Sequence, residues 1–203
     1  NINICEGYGC TETSPMISVN HISNPRNMES VGMIMDDLIV EIINNEICVH
    51  GPSVMKGYYN NVEATNNAFV EKDNKLFYKT GDEGYVKDGF IFYQGRISEN
   101  YKLSNGKFVN VNEVENIIKK YVSDTFMVYG SNRNYNIIIV EGNSTITNNT
   151  LNNINHDLDG YLHVKKILRL KEGDLQKHLT PKMSLKRKDV ESMFEKKIEK
   201  MYL

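Results

Sequence analysis

The sequence predicts an α+β protein whose strand-rich first part is followed by a part that alternates helices with strands. Before residue 95, short runs of β-branched and aromatic residues are separated by Gly, Asn and Asp, which is typical of strands joined by tight turns. After residue 110, apolar residues recur at helical spacing. We therefore place a domain boundary where the pattern changes, dividing the chain into residues 1–96 and 97–203.

The segment that joins the two patterns, residues 95–109, is basic and contains two glycines, Gly95 and Gly106. Arg96 can offer a phosphate or a ribose a planar fork of donors, whereas Lys102 supplies a compact, mobile charge. Glycine permits backbone angles that other residues avoid. The segment suggests a hinge beside an anionic ligand, but taken alone it favours the alternative, a polar loop with scattered charge.

Composition excludes several classes of protein. The chain has 203 residues, 40% of them hydrophobic, so it can bury a real core. A net charge of -2 argues against a dedicated nucleic-acid binder. No apolar run approaches the ~20 residues that cross a bilayer. Cys5, Cys10 and Cys48 are odd in number and lack metal-site spacing, which indicates reduced intracellular thiols. Because the first residue is Asn, we expect a piece of a longer chain.

A strand pattern at residues 2–4 precedes a ligand-loop candidate, which begins at Glu6 and ends at Thr13. In this loop Tyr8 and Gly9 are followed closely by Thr11 and Glu12. A tyrosine ring can stack on a flat ring, a threonine hydroxyl can bond a phosphate oxygen, and a carboxylate can hold Mg²⁺. The alternative is a Gly-rich turn around a packed tyrosine.

Two hairpins are predicted in the first part. Apolar runs at 38–43 and 47–49 flank Asn44-Asn45, and Asp88-Gly89 separates two further strand patterns. Residues 51–59 are predicted to be an ordered loop whose aromatic residues pack, and residues 63–69 a short helix.

Another strand is predicted at residues 76–79, ending in Thr80-Gly81-Asp82. A carboxylate just past a strand end and beside a glycine can accept two ribose hydroxyls. The alternative is an aspartate that caps its own turn.

The second part predicts a compact α+β domain. Val111, Val114 and Ile118 fall at helical spacing, and Asn112 followed by Glu115 resembles a capping box. The remaining predicted elements are strands at 126–130, 137–141 and 164–170, a helix through Leu151, Ile154 and Leu158, and a final helix with Val190, Met193, Phe194, Ile198 and Met201 on one face.

Taken together, these segments resemble the adenylate-forming superfamily of acyl-CoA synthetases, luciferases and peptide-synthetase adenylation domains. The resemblance is carried, in order, by Tyr8 to Glu12, Gly51 to Tyr59, Tyr78 to Asp82, Gly95-Arg96, Lys102 to Gly106, Glu113 to Glu115 and Pro181 to Arg187. The form of residues 102–109 and 179–187 is similar to long-chain fatty acyl-CoA synthetases of the eukaryotic type, although Gly95 replaces an aspartate common in that group.

The resemblance implies that residues 1–96 end a large AMP-binding domain and that residues 97–203 form a small, mobile lid domain. It implies two half-reactions. A carboxylate first attacks the α-phosphate of ATP to give an acyl-adenylate and pyrophosphate, and the thiol of CoA then displaces AMP. The implied ligands are a fatty acid, ATP, Mg²⁺ and CoA, with no nucleic acid.

The resemblance also implies residue roles. Tyr8 would stack on adenine, and Gly9 would belong to the same nucleotide-binding loop. Asp82 would contact the ribose, and Arg96 the ribose or phosphate. Thr11 would contact the adenylate phosphate, and Glu12 would hold Mg²⁺. The last three implied roles are Lys186 in adenylation, Lys102 in thioester formation, and Ser98 at the hinge, where the family usually has Asp or Lys.

A phosphate loop and an acyl pocket of the family have no counterpart in these residues, so we expect the chain alone to be inactive. The alternatives are a truncated, non-catalytic nucleotide- or CoA-binding module, or an adenylation domain with another acceptor. We expect the parent to be intracellular, in the cytoplasm or peripherally bound to the cytoplasmic face of a membrane.

Overall fold

A computed structural model describes residues 4–23, 25–181 and 183–203. The chain divides into two compact units, Asn1–Ile97 and Ser98–Leu203. The strand predicted at residues 2–4 lies largely outside the described residues, and the first described strand begins at Glu6. Within the described ranges, no helix combines the length and apolar character that a bilayer crossing requires.

The described part of the first unit is built on an antiparallel sheet of eight strands. The spatial order is β1-β2-β3-β8-β7-β5-β4, and β6 also pairs with β7. The strands are β1 Glu6–Tyr8, β2 Ser18–Asn20, β3 Met33–Ile34, β4 Ile39–Ile43, β5 Glu46–His50, β6 Phe69–Lys72, β7 Lys75–Lys87 and β8 Phe90–Arg96, and the helix α1 is Val62–Ala68.

Both predicted hairpins are present. Asn44 and Asn45 have φ angles of 52° and 67°, and they connect β4 to β5. Asp88 and Gly89, at 52° and 78°, connect β7 to β8. Asn, Asp and Gly tolerate this left-handed region, whose twist suits two-residue hairpin turns.

The prediction that a strand ends at Lys79 is wrong. Strand β7 continues through Thr80, Gly81 and Asp82 to Lys87, because β8 supplies pairing partners for its second half, with Asp82 opposite Arg96. The register shifts between Glu83 and Gly84. Such a bulge increases the local twist and re-aims side chains. Asp82 therefore lies within a strand, which fixes its position more firmly than a turn would.

The second unit contains a two-stranded sheet, β9 Tyr101–Lys102 with β10 Phe108–Val109, and a three-stranded sheet. The latter pairs β11 Phe126–Tyr129 antiparallel and β13 Val164–Leu170 parallel with the central β12 Asn136–Glu141. The described helices of eight or more residues are α2 Val111–Ile118, α3 Asn148–His156 and α4 Arg187–Lys200.

Strand β12 is buried along its whole length, because helices cover both faces of the sheet. Successive strand residues point to opposite faces. Ile138 and Val140 share a cluster with residues of α2 and α3, whereas Ile137 and Ile139 share one with Val190 and Ile198 of α4. The α+β class predicted from the sequence is confirmed.

Two local predictions in this unit are wrong. The N-cap of α2 is Asn110, whose side chain accepts a hydrogen bond from the Glu113 backbone N–H at 3.1 Å, so Asn112 lies inside the helix. The predicted apolar face of α4 includes Met193, which is 67% exposed. Val190, Phe194 and Ile198 repeat every four residues, and this stripe faces the core without Met193.

Candidate functional site

The first unit brings together three residues assigned to nucleotide binding: Tyr8, Asp82 and Arg96. The Tyr8 hydroxyl donates a hydrogen bond to Oδ2 of Asp82 at 2.7 Å. Nη1 of Arg96 lies 3.1 Å from Oδ1 of Asp82 and donates to the carbonyl of Thr80 at 2.7 Å. Arg96 is therefore tied to β7 at two points, beside the carboxylate predicted to hold a ribose.

The Asp82 carboxylate is buried, with 8% of its side chain exposed. Burial raises the pKa of Asp82, while the Tyr8 hydrogen bond and the Arg96 charge oppose that increase. Oδ1 makes no hydrogen bond within the described structure, although Arg96 is close. A buried carboxylate oxygen that makes no hydrogen bond can accept one from a hydroxyl of a ligand. Because Oδ1 is covered, a ribose could reach it only if the half-exposed Arg96 side chain moved.

The loop after Tyr8 leaves no space for a side chain at position 9, so only glycine fits there. A Cβ atom on Gly9 would lie 1.7 Å from the carbonyl oxygen of Pro15, which is backbone. The loop then forms a 3₁₀ turn at Thr11–Thr13, with the Cys10 N–H donating to the Thr13 hydroxyl at 3.2 Å. Thr13 is buried, whereas Thr11 is exposed and its hydroxyl is accessible.

Glu12 is held in place by a residue that the sequence did not single out. The Tyr58 hydroxyl donates to Oε1 of Glu12 at 3.0 Å, and the Glu12 carbonyl accepts from the Met55 N–H at 2.8 Å. The hydrogen bond from its own backbone N–H, supported by Tyr58, lowers the pKa of Glu12. The prediction that the aromatics of 51–59 pack is wrong for Tyr58, and for Tyr59, which is 93% exposed.

The surroundings of Glu12 suit Mg²⁺ better than a metal ion that is coordinated entirely by protein side chains. Among the described residues, no group of three or more His, Cys, Asp or Glu side chains could hold a metal ion. Mg²⁺ commonly keeps several waters and binds through one or two carboxylates and the phosphates of a substrate. A single carboxylate beside the predicted nucleotide site meets that requirement.

In the second unit, Lys186 and Ser98 line the same cavity of about 410 Å³. Lys186 is the exposed N-cap residue of α4, and Ser98 lies in an exposed 3₁₀ turn, Ile97–Glu99. Lys102, exposed on β9, is outside the described lining of this cavity. The lining residues are Ser98, Glu99, Asn100, Tyr101, Ser131, Leu185, Lys186, Arg187, Lys188, Asp189 and Glu191. Lys182, in the matched segment, lies outside the described residues.

A buried ion pair lies beside Lys186. Nη1 of Arg187 donates to Oε1 of Glu115 at 2.7 Å, and the side chains are 11% and 14% exposed. Sequence reasoning assigned Glu115 to a helix cap and Arg187 to a basic run. The two residues are 72 positions apart, and no local pattern announces their contact.

Two family models of known proteins match this chain, one in each of its two units. The family model described as AMP-binding enzyme matches residues 1–59, and the model described as AMP-binding enzyme C-terminal domain matches residues 99–203, more than half of the chain. The chain belongs to the AMP-binding enzymes, a family of adenylate-forming enzymes, and its predicted resemblance to the adenylate-forming superfamily is confirmed.

Among curated proteins, the chain is 41% identical over 109 residues to a probable 4-coumarate–CoA ligase 2 of Dictyostelium discoideum, covering 47% of this chain and 19% of that protein. It is 36% identical over 118 residues to a D-alanine–D-alanyl carrier protein ligase of Lactococcus lactis, covering 56% and 23%. The chain thus spans about a fifth of the length of these relatives. Their names specify coumarate and D-alanine, not a long-chain fatty acid.

Solved structures share the fold. The ATP-bound RpMatB-BxBclM chimera B3 matches with a TM-score of 0.77 at 20% identity, covering 95% of this chain and 41% of that one. The anthranilate CoA ligase AuaEII in complex with anthranoyl-AMP matches with a TM-score of 0.73 at 18% identity, covering 95% and 40%.

Proposed function

We propose that this chain is part of an ATP-dependent ligase that activates a carboxylic acid as an acyl-adenylate and transfers the acyl group to CoA. The products are acyl-CoA, AMP and pyrophosphate. The observation that carries the proposal is the network of Tyr8, Asp82 and Arg96, in which one oxygen of a buried carboxylate accepts a hydrogen bond from the Tyr8 hydroxyl and the other lies 3.1 Å from the Arg96 guanidinium. Family membership supports the same conclusion.

In this proposal each residue of the first unit contacts one part of the nucleotide. The Tyr8 ring stacks on adenine, beside Gly9, and Asp82 accepts hydrogen bonds from the ribose. Arg96 donates to the ribose or the phosphate, and Thr11 donates to the adenylate phosphate. Glu12 would hold Mg²⁺, which would supply positive charge beside the phosphates.

The second unit supplies one lysine to each half-reaction. Lys186 donates to the carboxylate and the α-phosphate during adenylation, when negative charge builds on the phosphoryl oxygens. Lys102 contacts the substrates during thioester formation. Residues 97–203 act as the mobile domain and turn about Ser98 between these steps, while residues 1–96 belong to the larger AMP-binding domain.

The proposed acid is a long-chain fatty acid. The supporting observations are the lysine segment at 179–187 and the form of residues 102–109, both similar to the eukaryotic long-chain synthetases. An intracellular location, in the cytoplasm or at the cytoplasmic face of a membrane, goes with this substrate. A second acceptor class, a carrier protein, has support in the name of the Lactococcus relative.

The test uses the complete enzyme that contains this chain. Exchange of labelled pyrophosphate into ATP is measured with short-chain and long-chain fatty acids, 4-coumarate and D-alanine. CoA and a phosphopantetheinyl carrier protein are then compared as acceptors. We expect the highest exchange rate with a long-chain acid and transfer to CoA.

Three outcomes would contradict the proposal, each at a different point. The highest rate with coumarate or D-alanine would overturn the acid, and preferential transfer to a carrier protein would overturn the acceptor. Exchange with none of the acids, together with AMP binding, would favour the non-catalytic nucleotide-binding module.

A further inference from the structure

Tyr58 contacts the candidate ligand loop through its hydroxyl, while its ring stays partly exposed. The residue is 38% exposed. Val54 of the same segment packs against the apolar cluster of the first unit, whereas Tyr58 is not among the described members of that cluster. The Tyr58 hydroxyl donates to Oε1 of Glu12 at 3.0 Å. Core packing therefore does not explain the place of Tyr58, and the hydrogen bond to Glu12 offers a better reason for it.

Helix α1 holds the backbone of Tyr58 from the other side. The Tyr58 N–H donates to Oγ1 of Thr65 at 2.9 Å, and the Thr65 hydroxyl donates to the carbonyl of Asn61 at 2.8 Å. The helix and the segment approach each other so closely that a Cβ on Gly57 would lie 2.7 Å from Cγ2 of Thr65. A threonine hydroxyl that both accepts and donates thus fixes the main chain at Tyr58.

The segment 51–59 contacts Glu12 at two separate points. The Met55 N–H donates to the Glu12 carbonyl at 2.8 Å, and the Tyr58 hydroxyl donates to the carboxylate. The first contact fixes the backbone of Glu12, and the second restricts the direction of a side chain that can otherwise adopt several staggered rotamers. Together they hold both ends of the glutamate.

A carboxylate that binds a metal ion is usually itself hydrogen-bonded by a neighbouring group. Such a group orients the carboxylate, and its loss typically costs ~10- to 100-fold in metal affinity or activity. The hydroxyl of Tyr58 has the contact and the backbone support that this task requires.

We propose that Tyr58 is a positioning residue for Glu12, and that Thr65 holds Tyr58 in place for this task. The three residues form one chain of contacts from helix α1 to the carboxylate. The inference rests on the proposed function, in which Glu12 would hold Mg²⁺. It predicts that losing the Tyr58 hydroxyl weakens binding of the divalent cation and leaves metal-free nucleotide binding unchanged.

The experiment compares Tyr58→Phe with Tyr59→Phe in the complete enzyme. The control removes the same hydroxyl from the adjacent, exposed tyrosine. Mn²⁺, which prefers the same oxygen ligands as Mg²⁺, is titrated into the complex with α,β-methylene-ATP, an analogue that cannot release pyrophosphate. Electron paramagnetic resonance measures the free ion, and Mn²⁺ bound to the analogue alone is subtracted. We expect the Kd of Mn²⁺ to rise about 10-fold in Tyr58→Phe and to stay within about twofold of the parent in Tyr59→Phe.

A second titration distinguishes positioning from a general disturbance of the ligand loop. AMP is titrated calorimetrically in EDTA, so that no divalent cation is present. The Kd of AMP should be the same in the parent, Tyr58→Phe and Tyr59→Phe, because the proposed contact acts on the cation through Glu12 alone.

Thr65 offers a matched pair of variants. Thr65→Val removes the hydroxyl and keeps the size of the side chain, whereas Thr65→Ser keeps the hydroxyl. We expect Thr65→Val to raise the Kd of Mn²⁺ about threefold or more, and Thr65→Ser to retain the parent value. If Thr65 acts through Tyr58, adding Thr65→Val to Tyr58→Phe should weaken Mn²⁺ binding no further, since coupled residues are not additive.

Several results would overturn the inference. One is an unchanged Kd of Mn²⁺ in Tyr58→Phe, and another is a Kd of AMP raised by the same factor as that of Mn²⁺. If Tyr58→Phe does not fold, Thr65→Val takes its place, and misfolding of both variants would mean a purely structural contact and overturn the inference as well.

The proposed function can fail independently of this inference. A parent enzyme that shows no pyrophosphate exchange with any acid refutes the proposed function. A parent that exchanges, and whose affinity for Mn²⁺ falls on Glu12→Ala but not on Tyr58→Phe, refutes the positioning role alone.

Discussion

The hydroxyl of Tyr8 and the carboxylate of Asp82, 74 positions apart in the sequence, are joined by a hydrogen bond of 2.7 Å. The bond links strand β1 to strand β7, although these strands are not neighbours in the sheet. Burial raises the pKa of Tyr8, as does the neighbouring Asp82 charge, so the tyrosine keeps its proton and donates. The residue assigned to adenine thereby orients the residue assigned to ribose.

Tyr8→Phe removes this donor and leaves the buried carboxylate in place. Hydrogen bonds to charged groups contribute about 1.5 to 3 kcal/mol, so the free energy of opening β7 should fall by about that amount. Hydrogen–deuterium exchange of peptides from β1 and β7 measures it. Tyr85→Phe, at a half-exposed tyrosine of β7, is the control and should change little. Unchanged exchange in Tyr8→Phe would contradict the prediction.

Tyr58→Phe should raise the pKa of Glu12 toward its ordinary value, since it removes one of the hydrogen bonds that lower it. A carboxylate with a lowered pKa stabilises the folded state above its unfolded pKa, and that stabilisation is lost as pH falls through the folded pKa. The variant should therefore lose less stability on acidification through this window. Carbon-detected NMR titration of Glu12 gives the pKa directly. Tyr59→Phe, at an exposed position, should leave the titration curve unmoved.

Lys186→Ala in the complete enzyme should slow acyl-adenylate formation by about 100-fold or more, if this lysine contributes several kcal/mol to the transition state. CoA attack on a supplied acyl-adenylate should be spared. The rate of ATP–pyrophosphate exchange is the measurement, and an undiminished rate would remove Lys186 from the mechanism.

Lys102→Ala should have the opposite profile. Lys102 lies on β9 and is not among the described residues that line the cavity beside Lys186. The two lysines therefore occupy separate places in the second unit. Single-turnover measurements should show thioester formation slowed more than adenylation. Equal losses in the two steps would indicate a structural role only.

Limited proteolysis of the 203-residue chain should release a resistant fragment that begins near Ser98. Residues Ile97–Glu99 are exposed, and exposed turns are preferred cleavage sites. The first unit should be digested earlier, because large apolar side chains such as Ile4, Met28 and Leu76 are more than half exposed there. Mass spectrometry identifies the fragments. Digestion of both units at the same rate would contradict the predicted boundary at residues 96–98.

The sequence predicted those features whose physical cause is local. The turns at Asn44-Asn45 and Asp88-Gly89 were predictable because few residues tolerate positive φ. Helix α2 was predictable from its apolar spacing, but its cap was misplaced by two residues because both Asn110 and Asn112 can cap. The continuation of β7 past Lys79 depends on pairing with β8, which outweighs the turn tendency of Thr80-Gly81-Asp82.

The candidate site was predictable only as a set of separate residues. Family motifs indicated Tyr8, Glu12 and Asp82, yet their side-chain hydrogen bonds come from residues 46 and 74 positions away. Tyr58 reaches Glu12, and Glu115 reaches the neighbour of Lys186, because strand order and helix packing bring them together. Such contacts leave no periodic signal in a single sequence.

The long strand β7 also limits where residues can be inserted into this protein. A single added residue between Thr80 and Gly84 would turn the following side chains to the opposite face of the sheet. Gly84 has no spare room, since a Cβ there would lie 2.5 Å from the Phe92 carbonyl oxygen. At Gly89 an added Cβ would meet nothing within 4 Å. The Asp88-Gly89 turn thus has more free space than Gly84, although the φ of 78° at Gly89 disfavours a side chain there. Chimeras joined inside residues 80–84 would lose the orientation of Asp82.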